Sequence, residues 1–359
     1  MGGISVFDYM TKHRYEQVVH FYDRSTGLKG ITVIHNTTLG PALGGTRIWD
    51  YKTEEDALVD CLRLARGMTY KSAAAGLNLG GGKTVLIGDA SKVKSEAYFR
   101  ALGRYVQSLN GRYITAEDVN TSTKDMGYVA METNHVVGLE GKSGNPSPIT
   151  ALGVFHGVKA GLQKKYGNSD IEKYSYAVQG AGQTGYYLIG YLLEAGAKDI
   201  RFTEINDKHV RRMAEEHPQV RYVNPEEIYS QDVDVFSPCA LGGSLNSDTI
   251  PQIKAPIIAG SANNVLLDEE VHGKLIMDRG IIYCPDFVIN AGGIINVYHE
   301  IHGYNRDRAI ADTRKIYDRL LEILSIAEQQ GITSQEAAKV FAKQRIESIH
   351  LLHDNYIPR

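Results

Sequence analysis

A glycine-rich hexapeptide in the second half of the chain restricts the fold more than any other feature of the sequence. Residues 180–185 read GAGQTG, the pattern GxGxxG. The pattern alone is weak, but here it follows a predicted strand at residues 174–178 and opens a predicted helix at residues 183–194. This order begins a parallel dinucleotide-binding sheet, in which Gly180 permits the tight turn and the helix N-terminus favours a pyrophosphate. The sequence therefore predicts a Rossmann domain.

The next predicted strand, residues 200–205, carries an acidic residue near its end. This residue, Glu204, is placed to accept a hydrogen bond from a ribose 2′-hydroxyl, and its charge repels a 2′-phosphate. Glu204 therefore favours NAD over NADP. The alternative is a glycine-rich turn in an α/β fold that binds no ligand.

The length of the chain indicates more than one domain. With 359 residues it exceeds what one hydrophobic core usually supports. Residues 1–137 alternate helical and strand patterns, whereas residues 138–148, GLEGKSGNPSP, have the composition of a linker. We expect a Rossmann domain over residues 147–330, and a return of residues 331–359 to the first domain. The predicted class is α/β with two domains and a cleft between them.

Hydrophobic periodicity predicts the individual elements. The predicted strands are residues 31–35, 113–116, 174–178, 200–205, 233–236, 257–259 and 281–283. The predicted helices are residues 54–68, 97–109, 150–166, 183–194, 307–329 and 334–350.

Charge and cysteine content exclude several classes of partner. The net charge is −3 without a long run of one sign, which argues against nucleic acid or an anionic membrane and favours a small ligand. Cys61, Cys239 and Cys284 are too sparse for a disulfide framework or a zinc site, so we expect no metal. Residues 1–11 lack a basic segment followed by an apolar stretch, and we expect a cytoplasmic protein.

Two lysines flank a segment without any other charge. Lys71 and Lys83 enclose SAAAGLNLGGG, whose glycines and alanines would let backbone crowd around a small ligand. Apolar surroundings and a second cation both lower the pKa of a lysine, and a neutral lysine can act as a general base. Its charged neighbour can pair with a substrate carboxylate. Glu117 and Asp118 follow a short predicted strand, a suitable place for a carboxylate that handles protons.

Two other interpretations of this segment exist. GGGKT looks like the end of the phosphate-binding loop GxxxxGK[ST], but Leu77 stands where its first glycine belongs and Gly76 is one place off. Both lysines could also be merely solvated, which fits poorly with a segment so lacking in other polar residues.

Several longer motifs, taken together, resemble one enzyme family. They are LRLARGMTYKSAAAGLNLGGGKTVLIGD, GRYITAEDV, SGNPSPITALGVF, SPCALGG, IIAGSANN and PDFVINAGGIINV, in this order. The chain resembles the leucine dehydrogenases of the glutamate/leucine/phenylalanine/valine dehydrogenase superfamily over nearly its whole length. The resemblance implies NAD-dependent, reversible deamination of L-leucine and other branched-chain L-amino acids to the 2-oxo acid and ammonium. It also implies a homo-oligomer, an octamer or a dimer.

The resemblance implies roles for individual residues. Lys71 would bind the substrate α-carboxylate, Lys83 would activate water for attack on the imino acid, and Asp118 would work beside Lys83 in proton transfer. The other substrate-binding residues would be Gly44, Gly45, Leu43, Ala116, Asn290, Ile294 and Val297. The cofactor-binding residues would be Thr150, Gly180, Ala181, Gly182, Gln183, Thr184, Gly185, Glu204, Cys239, Ala240, Asn264 and Asn290. Among these, Cys239 is interpreted as a small packing residue rather than a nucleophile.

Three positions depart from the family pattern, and none belongs to the catalytic set. Glu204 replaces the usual aspartate, Asn120 stands where glycine is common, and Ile294 is one methylene larger than the frequent valine. The alternatives are an enzyme that prefers valine or an aromatic amino acid, and a non-catalytic NAD-binding regulator. The presence of Lys71, Lys83 and Asp118 argues against the regulator.

Overall fold

In the computed structural model, which describes residues 5–354, the chain forms two compact units. Unit 1 comprises Met1–Gly144, Val297–Tyr304 and Ala342–Arg359, and unit 2 comprises Asn145–Asn296 and Asn305–Phe341. Two segments differ from the expected division. Residues 331–341 were expected in the first domain but lie in unit 2, and residues 297–304 were expected in the Rossmann domain but lie in unit 1. Residues 1–4 and 355–359, at the ends of the expected first domain, lie outside the described residues. The predicted class, α/β with two domains, is confirmed.

The elements before residue 145 belong to unit 1. The strands are β1 (Gln17–Asp23), β2 (Leu28–Asn36), β3 (Ala42–Trp49), β4 (Gly80–Ile87) and β5 (Tyr113–Glu117). The helices are α1 (Val6–His13), α2 (Glu54–Ala74), α3 (Ala90–Val93), α4 (Glu96–Ser108) and α5 (Thr123–Ala130).

The elements after residue 145 include six short strands. These are β6 (Ser175–Gln179), β7 (Asp199–Thr203), β8 (Arg221–Tyr222), β9 (Val235–Pro238), β10 (Ile257–Ile258) and β11 (Ile282–Tyr283). The helices are α6 (Ser147–Tyr166), α7 (Gln183–Glu194), α8 (Asp207–Glu216), α9 (Glu269–Asp278), α10 (Asp286–Ile289), α11 (Gly292–Ile301), α12 (Arg306–Arg314), α13 (Ile316–Gln330) and α14 (Ser334–His350).

The sheet of unit 1 is mixed, with the strand order β1-β2-β4-β3-β5. Strand β2 runs antiparallel to both β1 and β4, whereas β3 runs parallel to both β4 and β5. Helix α2 begins at the N-cap Thr53, whose side chain accepts a hydrogen bond from the Asp56 amide. It buries Cys61 and Ala65 against Val85 of the sheet. Because β3 lies between β4 and β5, residues at the carboxyl ends of these three strands come together.

The sheet of unit 2 is parallel in every strand pair that the structure records, with the order β8-β7-β6-β9-β10-β11. The chain leaves β6 toward β7 and β8 on one side and returns to β9 on the other. The carboxyl ends of β6 and β9 therefore form the topological switch point, where open α/β sheets bind their ligands. The predicted Rossmann sheet is confirmed.

Four predicted helices have different bounds in the structure, and the smallest difference is that of α4, which is Glu96–Ser108 rather than residues 97–109. The helix expected over residues 307–329 is two helices, α12 and α13, which meet at Lys315. Helix α2 runs to Ala74 rather than residue 68, so Lys71 lies in its last turn. Helix α6 begins at Ser147 because Pro148 is tolerated in a first helical turn.

Two features are absent from the described residues, 5–354. Each helix in this range is too short or too polar to cross a membrane. In the same range, no group of three or more His, Cys, Asp or Glu side chains is arranged to hold a metal ion.

Candidate active site

Lys83, in the middle of β4, forms an ion pair with Asp118, the residue that follows β5. Lys83 Nζ lies 2.9 Å from Asp118 Oδ2. Lys83 is only 4% exposed, whereas the side chain of Asp118 is 25% exposed. The charged neighbour that the structure gives Lys83 is therefore a carboxylate that solvent and small molecules can reach.

The strand between them carries glycine where the pair needs room. An added Cβ on Gly45 would lie 2.7 Å from Asp118 Cβ and 2.6 Å from the Glu117 carbonyl oxygen. An added Cβ on Gly44 would lie 1.8 Å from the Gly82 carbonyl oxygen. The family resemblance implied that both glycines bind the substrate. The structure shows that contacts within the protein already require them.

Arg47, which the sequence analysis missed, completes this ion pair. Its Nε lies 2.9 Å from Asp118 Oδ2, the same oxygen that Lys83 contacts. Leu43, Gly45 and Arg47 alternate along β3, so they face one side of the sheet. An arginine on this predominantly apolar face was the signal that could have revealed it.

The two cations determine the charge state of Asp118. Burial alone would raise the pKa of this carboxyl group, but the charges of Lys83 and Arg47, together with their hydrogen bonds, outweigh burial and lower its pKa below the usual value. Asp118 is therefore a carboxylate at neutral pH, ready to accept a proton.

Lys71 is half-buried in the last turn of α2, which packs directly on β4. An added Cβ on Gly81 would lie 2.1 Å from the Thr69 amide nitrogen, and Ser72 Oγ donates to the Gly80 carbonyl oxygen at 3.2 Å. The glycine run thus brings the elements that carry Lys71 and Lys83 into contact. We expected these glycines to surround a ligand. Gly80, Gly81 and Gly82 are buried, and contacts within the protein already require them; that they also surround a ligand stays a prediction.

Leu43 and Ala116 lie on the same face of the sheet as Lys83. Leu43 pairs with Gly81 in the β3–β4 register, and Gly45 pairs with Ala116 in the β3–β5 register. Both Leu43 and Ala116 are buried. The other two residues predicted for the side-chain pocket, Ile294 and Val297, lie one turn apart on α11, where Ile294 is buried and Val297 half-buried.

The glycine loop of unit 2 has the geometry that a dinucleotide needs. Gly180 has φ +91°, and an added Cβ there would lie 2.9 Å from Ala240 Cβ. An added Cβ on Gly185 would lie 1.9 Å from the Gly180 carbonyl oxygen. At Gly182, by contrast, the nearest atoms are 4.0 Å away, in the ring of His209. The loop is therefore closed against the protein at two glycines and open at the third, where a pyrophosphate would approach.

Glu204 is fixed beside this loop by three backbone amides. Its Oε2 accepts a hydrogen bond from the Ala181 amide at 3.0 Å, and its Oε1 accepts from the amides of Ile205 and Asn206 at 2.9 and 3.0 Å. His209 Nδ1 lies 3.6 Å from Oε2. The sequence analysis did not foresee His209, which the first turn of α8 brings to the loop.

The remaining predicted residues of unit 2 lie in neighbouring segments. Gln183 and Thr184 belong to the first turn of α7, and Cys239 and Ala240 follow β9 against the glycine loop. Burial raises the pKa of the Cys239 thiol, consistent with a packing residue. Asn290 Nδ2 donates to the Ser261 carbonyl oxygen and to Asn263 Oδ1. Asn264 is exposed with φ +50°, and Thr150 lies on α6 against Gly293.

Comparison with known proteins agrees with this arrangement. Residues 15–135 match the family described as Glu/Leu/Phe/Val dehydrogenase, dimerisation domain, and residues 200–351 match Glutamate/Leucine/Phenylalanine/Valine dehydrogenase. The chain is 52% identical to the leucine dehydrogenase of Bacillus cereus over 99% of this chain and 97% of that protein. The chain belongs to the glutamate/leucine/phenylalanine/valine dehydrogenase family.

Other members of the family are similar over the same length. The leucine dehydrogenase of Geobacillus stearothermophilus is 53% identical, with 96% of this chain and 94% of that protein covered. The crystal structure of L-tryptophan dehydrogenase from Nostoc punctiforme superposes with a TM-score of 0.87 at 44% identity, covering 96% of this chain and 99% of that chain. The resemblance found in the sequence is confirmed, and with it the nicotinamide-dependent amino acid dehydrogenase class.

Proposed function

We propose that this dehydrogenase catalyses the NAD-dependent, reversible oxidative deamination of L-leucine and related branched-chain L-amino acids to the 2-oxo acid and ammonium. The observation that carries the proposal is the buried Lys83 whose Nζ lies 2.9 Å from the Asp118 carboxylate. Relatives named leucine dehydrogenase share about half of their residues with this chain.

Unit 1 would bind the amino acid. Lys71 would pair with its α-carboxylate, and Leu43 and Ala116 would line part of the space for its side chain. Both are apolar and buried, so a glutamate side chain would lose its hydration without gaining a partner there. An aliphatic side chain has no such cost.

The proton transfers fall to Asp118 and Lys83. NAD, when bound, would accept a hydride from the substrate Cα. Asp118 would first take a proton from the substrate ammonium group, because the neutral amine can then donate its lone pair as the hydride leaves. Lys83 would first release to solvent the proton that it carries in the ion pair, and as the neutral amine it would take a proton from the water that adds to the imino carbon. Asp118 would return its proton to the nitrogen, then take the proton of the new hydroxyl group as the carbonyl forms and pass it to the departing ammonia.

The glycine loop of unit 2 would hold NAD. Gly182 is open to a pyrophosphate, and the first turn of α7 offers its amide groups. The Glu204 carboxylate beside the loop would accept a ribose hydroxyl and repel a 2′-phosphate. These features support NAD rather than NADP.

A panel of substrates tests the proposal. Reduction of NAD⁺ and NADP⁺ is followed spectrophotometrically with leucine, isoleucine, valine, phenylalanine and tryptophan. We expect the highest kcat/KM with leucine and NAD⁺. A higher value with an aromatic substrate would instead indicate an activity like the one for which the L-tryptophan dehydrogenase of Nostoc punctiforme is named. Binding of NADH without turnover of any amino acid would indicate a regulator, and equal kcat/KM for the two cofactors would contradict the role of Glu204.

Side-chain selection is tested by removing bulk from the proposed pocket. Phenylalanine would have to displace Leu43 or Val297, and overpacking costs about 1–3 kcal/mol, roughly a ten- to hundredfold loss. We expect Leu43→Gly or Val297→Ala to raise kcat/KM for phenylalanine and methionine relative to leucine. An unchanged ranking together with a lower Tm would show that these are only core residues.

We also propose a homo-oligomer in the cytoplasm. The match of residues 15–135 to a dimerisation domain supports assembly. Cys61, Cys239 and Cys284 are free thiols, as a reducing compartment requires. A mass of 39.6 kDa by light scattering, that of a single chain, would contradict the homo-oligomer. Recovery of the protein from a secreted fraction would contradict the cytoplasmic location.

A further inference from the structure

A chain of charged and polar groups extends from Lys83 to a second carboxylate. Arg47 spans two carboxylates, with Nε 2.9 Å from Asp118 Oδ2 and Nη1 3.0 Å from Asp60 Oδ2. Tyr51 donates its hydroxyl proton to the same Asp60 oxygen at 2.6 Å. The order of groups is therefore Tyr51, Asp60, Arg47, Asp118 and Lys83.

The geometry of this chain requires a guanidinium. A planar guanidinium presents donors in fixed directions, so Arg47 can contact Asp118 through Nε while it contacts Asp60 through Nη1. Asp60 comes from α2 and Asp118 follows β5, so Arg47 connects the helix that carries Lys71 to the strand end that carries the catalytic acid. An ammonium group on a shorter stem would not match both sites.

Both cations contact one oxygen of Asp118. Lys83 Nζ and Arg47 Nε each lie 2.9 Å from Oδ2. The other carboxylate oxygen, Oδ1, takes part in neither of these two contacts. Two contacts from different strands fix the orientation of the carboxylate more firmly than Lys83 alone could.

We propose that Arg47 is a positioning residue for the reaction, which keeps Asp118 ionised and turned so that Oδ1 meets the substrate nitrogen while Lys83 remains on Oδ2. This inference rests on the proposed function, since it assigns Asp118 the proton from the substrate ammonium group. Asp60, held by Tyr51, would in turn fix Arg47.

The expected effect of losing Arg47 follows from the groups around Asp118. The charged groups facing it are Lys83 from β4 and Arg47 from β3, and those facing Arg47 are Asp118, Asp60 and Tyr51. Burial raises the pKa of Asp118, and two cations oppose that effect. Without Arg47 only Lys83 opposes it, so the carboxylate would take up a proton at a higher pH.

The test is the pH profile of kcat/KM for leucine in the wild type, Arg47→Gln and Arg47→Lys. Asp118 must be ionised to accept a proton, so activity falls as pH falls through its pKa. In Arg47→Gln we expect this acid limb to move upward by about one to three pH units, the usual effect of an arginine beside an aspartate. The activity ratio to wild type should then recover as pH rises. In Arg47→Lys we expect a smaller upward shift of the acid limb, because lysine keeps the positive charge beside Asp118 but cannot contact Asp60 at the same time.

Arg100→Gln is the matched control. Arg100 also joins two carboxylates of unit 1, Glu96 and Glu132, but it does not contact Asp118. We expect its pH profile to coincide with that of the wild type. A profile of Arg47→Gln that also coincided with the wild type would overturn the inference.

Two further measurements keep the inference testable if Arg47→Gln does not fold or the wild type does not oxidise leucine. Arg47→Lys, which keeps a cation beside Asp118, should move the acid limb in the same direction by a smaller amount. Infrared titration of the protonated Asp118 carbonyl band, assigned by its absence in Asp118→Asn, needs no turnover. If the wild type oxidises no amino acid, the proposed function fails. The infrared midpoints of wild type and Arg47→Lys still decide the role of Arg47, and equal midpoints would overturn it.

Discussion

Gly45 is the residue of β3 that faces Asp118, and it lacks the one carbon atom that would disturb the ion pair. In Gly45→Ala the new Cβ would lie 2.7 Å from Asp118 Cβ and 2.6 Å from the Glu117 carbonyl oxygen, so Asp118 and the end of β5 have to shift. A displacement of about 1 Å in a catalytic group can cost about 10²-fold, and we expect a loss of that order in kcat.

Gly67→Ala serves as the control for this substitution. Gly67 lies on α2, and an added Cβ there meets no atom within 4 Å. We expect unchanged kcat and a free energy of unfolding higher by about 1 kcal/mol, since alanine favours helix. Wild-type kcat in Gly45→Ala would contradict the steric argument.

The two lysines should differ in what their removal changes. We expect Lys83→Ala to lower kcat by about 10²–10⁴-fold, the usual contribution of a general base, while NADH affinity measured by fluorescence stays constant. Lys71→Ala should mainly raise KM for the amino acid. Lys92→Ala, at a lysine whose side chain is 79% exposed, is the control. If Lys83→Ala kept more than about a tenth of wild-type kcat, Lys83 would not be the base.

At the residue scale, the sequence predicted Lys83, Asp118 and Glu204 but not Arg47. The first three lie in continuous motifs whose residue order is itself informative. Arg47 and Asp118 lie 71 positions apart, and their contact depends on the register of β3 between β4 and β5. A pattern within one segment does not contain this register.

Among the elements, β2 carries a titratable group that makes stability depend on pH. His35 is buried, with Nδ1 2.8 Å from Thr69 Oγ1 and Nε2 3.2 Å from the His13 carbonyl oxygen. Burial, with a smaller contribution from Arg66, lowers the pKa of His35 from 6.5 to about 4. The neutral ring is therefore the form that the fold accepts.

The sign of the effect follows from this pKa. Between pH 6.5 and about 4 the unfolded chain binds a proton at His35 and the folded chain does not, so stability falls as pH falls through this range. We expect the loss of Tm from pH 7 to 4.5 to be smaller in His35→Gln than in the wild type. His20→Gln, at an exposed position of β1, should follow the wild type. Parallel Tm curves for wild type and His35→Gln would contradict the assignment.

Elements were predictable where one amphipathic face ends at a turn signal. The helices over residues 183–194 and 334–350 have the predicted bounds in the structure. Helices α12 and α13 were predicted as one, because Ala309 and Ile316 are both apolar and buried and their spacing of about two helical turns continues across the break at Lys315. A break of this kind interrupts the helical backbone without changing the spacing of apolar residues, so the sequence pattern does not reveal it.

For the whole molecule, the segment after Phe341 returns to unit 1 and contacts the turn between α2 and β4. The Arg345 guanidinium donates to the Leu77 carbonyl oxygen at 2.6 Å and to Asn78 Oδ1 at 2.9 Å. Since this turn joins the elements of Lys71 and Lys83, we expect removal of residues 342–359 to abolish turnover and lower Tm. Arg345→Gln should show a smaller decrease in both, and Lys343→Gln, at an exposed position, none. Full activity of the truncated protein would contradict the contact's importance.

The two units were foreseeable from length and composition, but the path of the chain between them was not. Helix α11 is continuous from Gly292 to Ile301, yet the division passes through it at Asn296 and Val297. A helix that belongs to two units has the same periodicity as one that belongs to a single unit.

This divided path has a consequence for the synthesis of the protein. A ribosome releases residues 1–144 long before residues 297–304 and 342–359, which complete unit 1. Domains usually fold as they emerge, the N-terminal one first. Here the contact of Arg345 with the turn between α2 and β4 can form only after the last residues have emerged, so this turn stays uncovered for most of translation. Ribosome-bound chains stalled before residue 297 should therefore be cleaved by protease within residues 1–144, and released full-length protein should resist.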